Sequence, residues 1–351
     1  MFYELVEKAM MLEKSGKKVV RLNVGDTNLP APQCAIDALK ERMGRLKYGY
    51  GSGAGMPELR EAIAQREGCE AKNVIVGPGS KHLIFALLSV LAKPGASVFT
   101  PSPAWPAYGL ICDQIGHRKA FAHTRLEDNW QFSGIPDGAD VAIICNPLNP
   151  TSTAYPEGLV RDAIKKARES GIPLILDEAY KDLTFGGAAD YGGAIKVRSF
   201  SKEFNMESWR LAYAVAPEEI AKKVLKFVQI TATCVPEFTQ AAGLACLGNR
   251  KEITADNRKA WKERADVAQK ALAREGFRFA KPDAGIYLFA THEGIADSGK
   301  YALSLLDNGV AVSPGGSFGE YGKFVRICVN QSPEVLEEAA RKMGEEAAGK
   351  K

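Results

Sequence analysis

Short β-rich runs punctuate the middle of the chain, at 74–77, 97–100, 141–145, 172–177 and 195–200. Most are apolar residue after apolar residue, with no polar face. Between and after them lie stretches of helical spacing, near 82–91, 157–169 and 219–229. Continuous apolar strands separated by amphipathic helices predict a mainly parallel sheet covered on both faces. Upstream, the pattern predicts a polar-faced helix over 1–18, a short strand at 19–22, and helices near 32–43 and 56–66. Beyond about 230 the texture changes. A long charged helix over 253–275 leads into short strands at 286–289, 310–312 and 325–329, with helices near 297–307 and 333–347. The expected fold is α/β: a three-layer α/β/α large domain with a mainly parallel sheet, plus a smaller α+β domain.

Composition narrows the class. The 351 residues are 46% hydrophobic and 25% charged, enough to bury a substantial core. The 34 glycines and 18 prolines are ordinary usage, which argues against disordered and fibrous chains. A formal charge of +4, spread along the chain, implies neither nucleic acid nor an anionic membrane as partner. The seven cysteines form no CxxC pair, so neither a disulfide framework nor a metal site is expected, and a reducing compartment fits. No basic-then-apolar start and no apolar run of membrane-span length appears. A soluble cytoplasmic protein is expected.

In parallel sheets, ligand-handling residues collect beyond the carboxyl ends of strands. Several polar or aromatic residues fall there. Gly77-Pro78-Gly79-Ser80-Lys81 joins a strand to an apolar helix, and free amides at such a helix start attract phosphate or another anion. Trp105, in a proline-bracketed segment, is either a stacking platform or a core aromatic. Asn146-Pro147-Leu148-Asn149-Pro150 makes a rigid turn whose amides face either a ligand or their own backbone. Asp177 ends an apolar run, with Tyr180 one turn on, and can keep a pyridine nitrogen protonated. Lys202 sits among hydroxyls in Ser199-Phe200-Ser201-Lys202, with Arg210 eight residues later. That pairing suits an amine that carries an aldehyde cofactor and an arginine that holds its phosphate. Arg326 lies in the hydrophobic run 324–329 and needs a partner, either an internal one or a substrate carboxylate. The glycine-rich stretch 47–55 places Tyr48 and Tyr50 in a turn-rich loop.

The order and spacing of these motifs resemble the class I/II aminotransferases, fold-type I pyridoxal-phosphate enzymes, over nearly the whole chain. The resemblance runs from Asn23-Val24-Gly25-Asp26 and Gly55-Met56-Pro57-Glu58-Leu59-Arg60 through Asp177-Glu178-Ala179-Tyr180. It continues to Pro282-Asp283-Ala284-Gly285-Ile286-Tyr287 and Arg326. It implies pyridoxal 5'-phosphate bound covalently at Lys202, with Asp177 at the pyridine nitrogen, Asn149 and Tyr180 at the ring oxygen, and Trp105 on the ring face. Gly79, Ser80, Lys81, Ser199 and Arg210 would serve the phosphate, and Tyr50 would reach the phosphate of the partner subunit in a homodimer. Gly25, Asn149 and Arg326 would bind the substrate carboxylate. Lys202, Asp177 and Tyr180 would carry the catalysis. The implied domains are residues 1–40 as an N-terminal arm with part of the small domain, 41–240 as the cofactor-binding domain, and 241–351 as the C-terminal small domain.

Three positions depart from the family pattern: Ser152, Ser208 and Ala212 stand where glycine is usual. Each adds a Cβ near the expected site. The expected activity is transfer of an amino group from an L-amino acid to a 2-oxo acid. The competing expectations are a carbon–sulfur β-lyase and a non-catalytic cofactor-binding regulator.

Overall fold

The computed structural model describes residues 2–45 and 49–349, without the side chains of Phe2 and Tyr3. Lys47 and Tyr48 of the glycine-rich stretch lie outside the described residues. In chain order the strands are β1 (Val20–Arg21), β2 (Val74–Gly77), β3 (Ser97–Ser102), β4 (Arg118–His123), β5 (Val141–Cys145), β6 (Leu174–Asp177) and β7 (Ile195–Ser199). They continue with β8 (Ala212–Val215), β9 (Arg278–Phe279), β10 (Tyr287–Thr291), β11 (Val310–Ala311), β12 (Ser313–Pro314) and β13 (Phe324–Cys328).

Seven of these form one sheet in the order β2-β8-β7-β6-β5-β3-β4. The pairs among β3 to β7 are parallel, whereas β8 runs antiparallel to both β7 and β2. The reversal has a functional consequence. The start of β8 lies at the carboxyl edge of β7, so Ala212 pairs with both Ser199 and Gly77. Arg210, just ahead of β8, is thereby carried to the crevice where the parallel strands end. Helices cover both faces. The apolar helix Ser80–Leu91 packs on β7, β8 and the helix Glu218–Ala232.

The remaining strands form a four-stranded antiparallel sheet, β12-β13-β10-β9, and the parallel pair β1-β11. The long helix Arg250–Arg274 packs against Pro333–Ala347 beside them. The first helix ends at Lys14 rather than at 18, because Gly16 turns the chain with φ +89°. Elements not expected include Pro106–Ile115, β4, β8 and Glu237–Gly248, besides the two-residue strands β9 and β12. β4 closes one sheet edge, and its residues are exposed or half-buried, so it has no continuous apolar run to betray it. Among the described residues, no helix is long and apolar enough to cross a membrane.

Beneath the carboxyl end of the sheet lies a buried layer of charge. Lys196 and Arg198 of β7 share one face by the alternation of a strand. Arg198 bonds Asp182 at 2.8 Å, and Lys196 bonds Glu67 at 3.0 Å. Arg66 reaches Asp182 at 2.9 Å and Glu203 at 2.6 Å. Burial acts to raise the Glu67 carboxyl, yet Arg198, Lys196 and the Tyr213 hydroxyl hold it down at about 2. Glu203 follows Lys202 in the chain, so this layer clamps the backbone that presents the lysine.

Candidate active site

A cavity of about 350 Å³ opens at the carboxyl ends of β3, β5, β6 and β7, where the smaller sheet meets the large one. Its wall includes Gly25, Ser80, Lys81, Trp105, Asn149, Asp177, Tyr180, Ser199, Lys202, Arg210 and Arg326. Almost every residue singled out in the sequence therefore converges on one place. Two do not line it. Gly79 lies behind Arg210, and Tyr50 is 91% exposed and stands outside the cavity of its own chain.

Lys202 sits in the single helical turn Phe200–Glu203 that follows β7. Ser199 caps this turn, its hydroxyl accepting from the Ser201 amide at 3.2 Å. Burial pushes the Lys202 amine below its usual range, against the opposing charges of Glu207 and Asp26. An amine with a lowered pKa is more often neutral, which is the form that attacks a carbonyl.

Asp177 closes β6 and is fully buried. Tyr108 donates to its Oδ2 at 2.6 Å, and the Ala179 amide donates to Oδ1 at 3.2 Å. Burial lifts its carboxyl to about 6 despite those two bonds. A carboxylate this starved of solvent gains from a cationic partner. Tyr180, one turn beyond β6, is held protonated by burial beside Tyr287, so it remains a donor.

The anion corner is built by the start of the helix Ser80–Leu91 and by Arg210. Gly79 adopts φ +98°, and a Cβ there would lie 2.2 Å from Arg210 Nη2, so only glycine lets the two approach. Arg210 itself takes a left-handed φ of 55° and donates from Nη1 to the Glu207 carbonyl at 2.6 Å. Amides at a helix start, two hydroxyls and a guanidinium together form a multidentate anion site.

Arg326 points from β13 into the cavity. It donates to Asn149 Oδ1 at 3.1 Å, to the Asn23 carbonyl at 2.8 Å and to Ser313 Oγ at 3.3 Å. Its guanidinium lies 4.2 Å from the Tyr287 ring centre and 4.9 Å from that of Phe318. Asn149 donates to Tyr180 Oη at 3.4 Å. Asn146 serves the backbone instead, accepting from the Tyr155 amide at 2.9 Å. Gly25 faces Tyr287 so closely that a Cβ would fall 1.9 Å from Oη. Trp105 stands edge-on to Tyr108, and the Lys81 ammonium lies 5.4 Å above its ring centre.

Polar wall residues with no assigned role in the sequence include Asp26, Tyr108, Glu207 and Tyr287. Tyr108 lies in the first turn of the helix Pro106–Ile115, three residues after Trp105 at its N-cap, and the two rings meet at 5.6 Å. The departures from glycine also acquire a geometry. Ser152 is buried at φ 56°, and its Oγ accepts from the Tyr287 amide at 2.9 Å. Ser208 is exposed, and Ala212 is buried within β8.

Comparison with known proteins is consistent over most of the chain. The family model for aminotransferase class I and II matches residues 17–343. An aspartate aminotransferase of Thermococcus kodakarensis is 36% identical over 332 residues, 93% of this chain and 88% of that one. One from Musicola paradisiaca is 30% identical over 344 residues, 91% of this chain and 86% of the other. Among solved structures, the aspartate aminotransferase of Thermus thermophilus with maleate superposes with a TM-score of 0.91 at 26% identity, covering 98% of this chain and 96% of that one.

Proposed function

Because the chain belongs to the class I and II aminotransferase family, we propose that it moves the amino group of a dicarboxylic L-amino acid to a 2-oxo acid. In this reading pyridoxal 5'-phosphate occupies the 350 Å³ cavity. The cofactor supplies, when bound, an aldehyde that accepts the amino group and a ring that withdraws electrons. The residues fit it. Lys202 offers a desolvated amine, Asp177 a buried carboxylate for the ring nitrogen, and Asn149 and Tyr180 donors for the ring oxygen. Ser80, Ser199, Arg210 and the amides of the first helical turn receive the phosphate. Trp105 packs against the ring. Lys202 is the base that takes the proton from the substrate α-carbon and delivers it on the cofactor side. Arg326, fixed by Asn149 and Asn23, holds the α-carboxylate beside Gly25.

The cations on the cavity wall carry the choice of substrate class. Lys202 goes to the aldehyde, Arg210 to the phosphate and Arg326 to the α-carboxylate. Lys81 is a fourth, above Trp105, and suits a second carboxylate on the substrate side chain. Its backbone amide, in the first turn of its helix, can still serve the phosphate. The relatives named aspartate aminotransferase, and the maleate carried by one solved neighbour, support the same class. The exposed Tyr50 supports a homodimer in which each chain completes the other's phosphate site. Seven free thiols fit a reducing cytoplasm.

The test is a spectroscopic screen of the loaded protein against single amino acids. Aspartate and glutamate should convert the cofactor at far lower concentration than alanine or phenylalanine, and Lys81→Ala should erase that preference. No preference for the two dicarboxylic acids would refute the substrate class. Ammonia and pyruvate released from cystathionine would favour the β-lyase.

A further inference from the structure

Glu207 lies in the short turn Glu207–Trp209, between Lys202 and Arg210. Its Oε1 accepts from the Thr27 amide at 2.5 Å and stands 3.6 Å from Lys202 Nζ. Thr27 belongs to segment 22–28, which supplies Gly25 to the cavity. That segment is tied to the smaller sheet, since the Leu22 carbonyl accepts from the Cys328 amide at 2.8 Å and the Asn23 carbonyl accepts from Arg326. Arg264, on the long helix, donates to the Thr27 carbonyl at 3.2 Å. One carboxylate oxygen thus touches both the lysine and the loop that bounds the substrate side.

We propose that Glu207 is a positioning residue for Lys202: it holds the lysine amine against the Gly25–Thr27 loop whenever that amine is not bonded to the cofactor. The inference rests on Lys202 being the cofactor lysine. Among the described residues, Glu207 supplies the one carboxylate oxygen within 4.0 Å of Nζ. The other groups facing the amine are Asp26 on the loop and Cys328 on β13. Asp177, Tyr180, Tyr287, Tyr108 and Cys145 line the same cavity, and Arg210, Arg326 and Lys81 are the other cations on its wall. A free lysine side chain has four rotatable bonds and many resting places. An anion at a fixed point selects one of them. The amine then starts each cycle beside the substrate face, and the charge it gains on taking a proton is already balanced. Segment 22–28 and the lysine become one unit, because the same oxygen fixes both.

The experiment uses the cofactor-free protein and pyridoxal 5'-phosphate. The rate of covalent attachment is followed across pH, trapped with borohydride, and the labelled residue is located by peptide mapping. Glu207→Gln keeps an oxygen for the Thr27 amide and removes the charge. The ammonium then loses its proton at lower pH, and the midpoint of the rate profile should fall by about one unit or more, with thermal stability unchanged. Glu207→Asp keeps the charge at a longer distance and should fall between the two. It also carries the test should the glutamine variant not fold. Label at Lys202 with an unmoved midpoint in these variants would overturn the role of Glu207. Label elsewhere in the parent protein would overturn the assignment of Lys202 itself.

Discussion

Replacing Arg326 by lysine isolates the forked geometry of the guanidinium from its charge. In the structure two of its nitrogens are already committed, to Asn149 Oδ1 and to the Asn23 carbonyl, at 3.1 and 2.8 Å. The rings of Tyr287 and Phe318 hold it from the sides. Its plane is therefore set before any substrate arrives. A lysine keeps the positive charge but cannot present two parallel donors to a carboxylate. Losing one charge-assisted bond of that pair costs about 1.5–3 kcal/mol, or roughly ten- to a hundredfold in affinity. The assay mixes the loaded variant with aspartate and follows the cofactor spectrum over a range of concentrations. The second-order rate constant should drop by that factor, most of it through weaker binding. Stability should fall as well, because the buried Asn149 and Asn23 acceptors are left with a poorer donor. A variant with a full cofactor load, an intact fold and an unchanged rate constant would refute the role given to Arg326.

Other substitutions probe other parts of the site. Lys202→Ala should neither retain cofactor through borohydride treatment nor turn over, and ordinary turnover would remove Lys202 from the mechanism. Asp177 has a folded-state pKa raised by burial to about 6, so its contribution to stability is present at low pH and is lost as pH rises through that value. The cofactor-free Asp177→Asn variant should therefore melt above the parent at about pH 8 and level with it near about pH 4; equal melting at both would refute the buried-charge account. Ser152→Ala leaves the Tyr287 amide without its acceptor and keeps the left-handed backbone, costing about 1–3 kcal/mol. Ser152→Gly loses the same bond but relieves the backbone, so it should be the more stable of the two in urea; the reverse order would sink that reading.

The chemistry of the site was legible where one strand end announced it. Asp177 terminates an apolar run, Lys202 stands among hydroxyls, and Arg326 interrupts a hydrophobic strand. In each case a charge appears where the pattern calls for none. What the pattern cannot carry is contact between distant segments. Glu207 meets Thr27 across 180 positions, and Tyr108 meets Asp177 across 69. Ser152 shows a different limit. Its sequence reading flagged an added Cβ, but the bond its hydroxyl makes to the Tyr287 amide depends on how two loops approach. Strands β4 and β8 were hidden for separate reasons, β4 by its exposed edge and β8 by its two alanines, which favour a strand only weakly.

The pairing of β1 with β11 bears on the order in which the molecule can be made. Asn23 and Gly25 are synthesised long before Arg326, which Asn23 meets 303 positions later. The strands of the large sheet all lie between Val74 and Val215, so that sheet is complete in a growing chain well before the smaller one. Lys202 and Asp177 are in place while the partners of Gly25 are still unmade. On the proposed roles of these residues, a nascent chain would acquire the means to capture the cofactor before it has the means to grip a substrate.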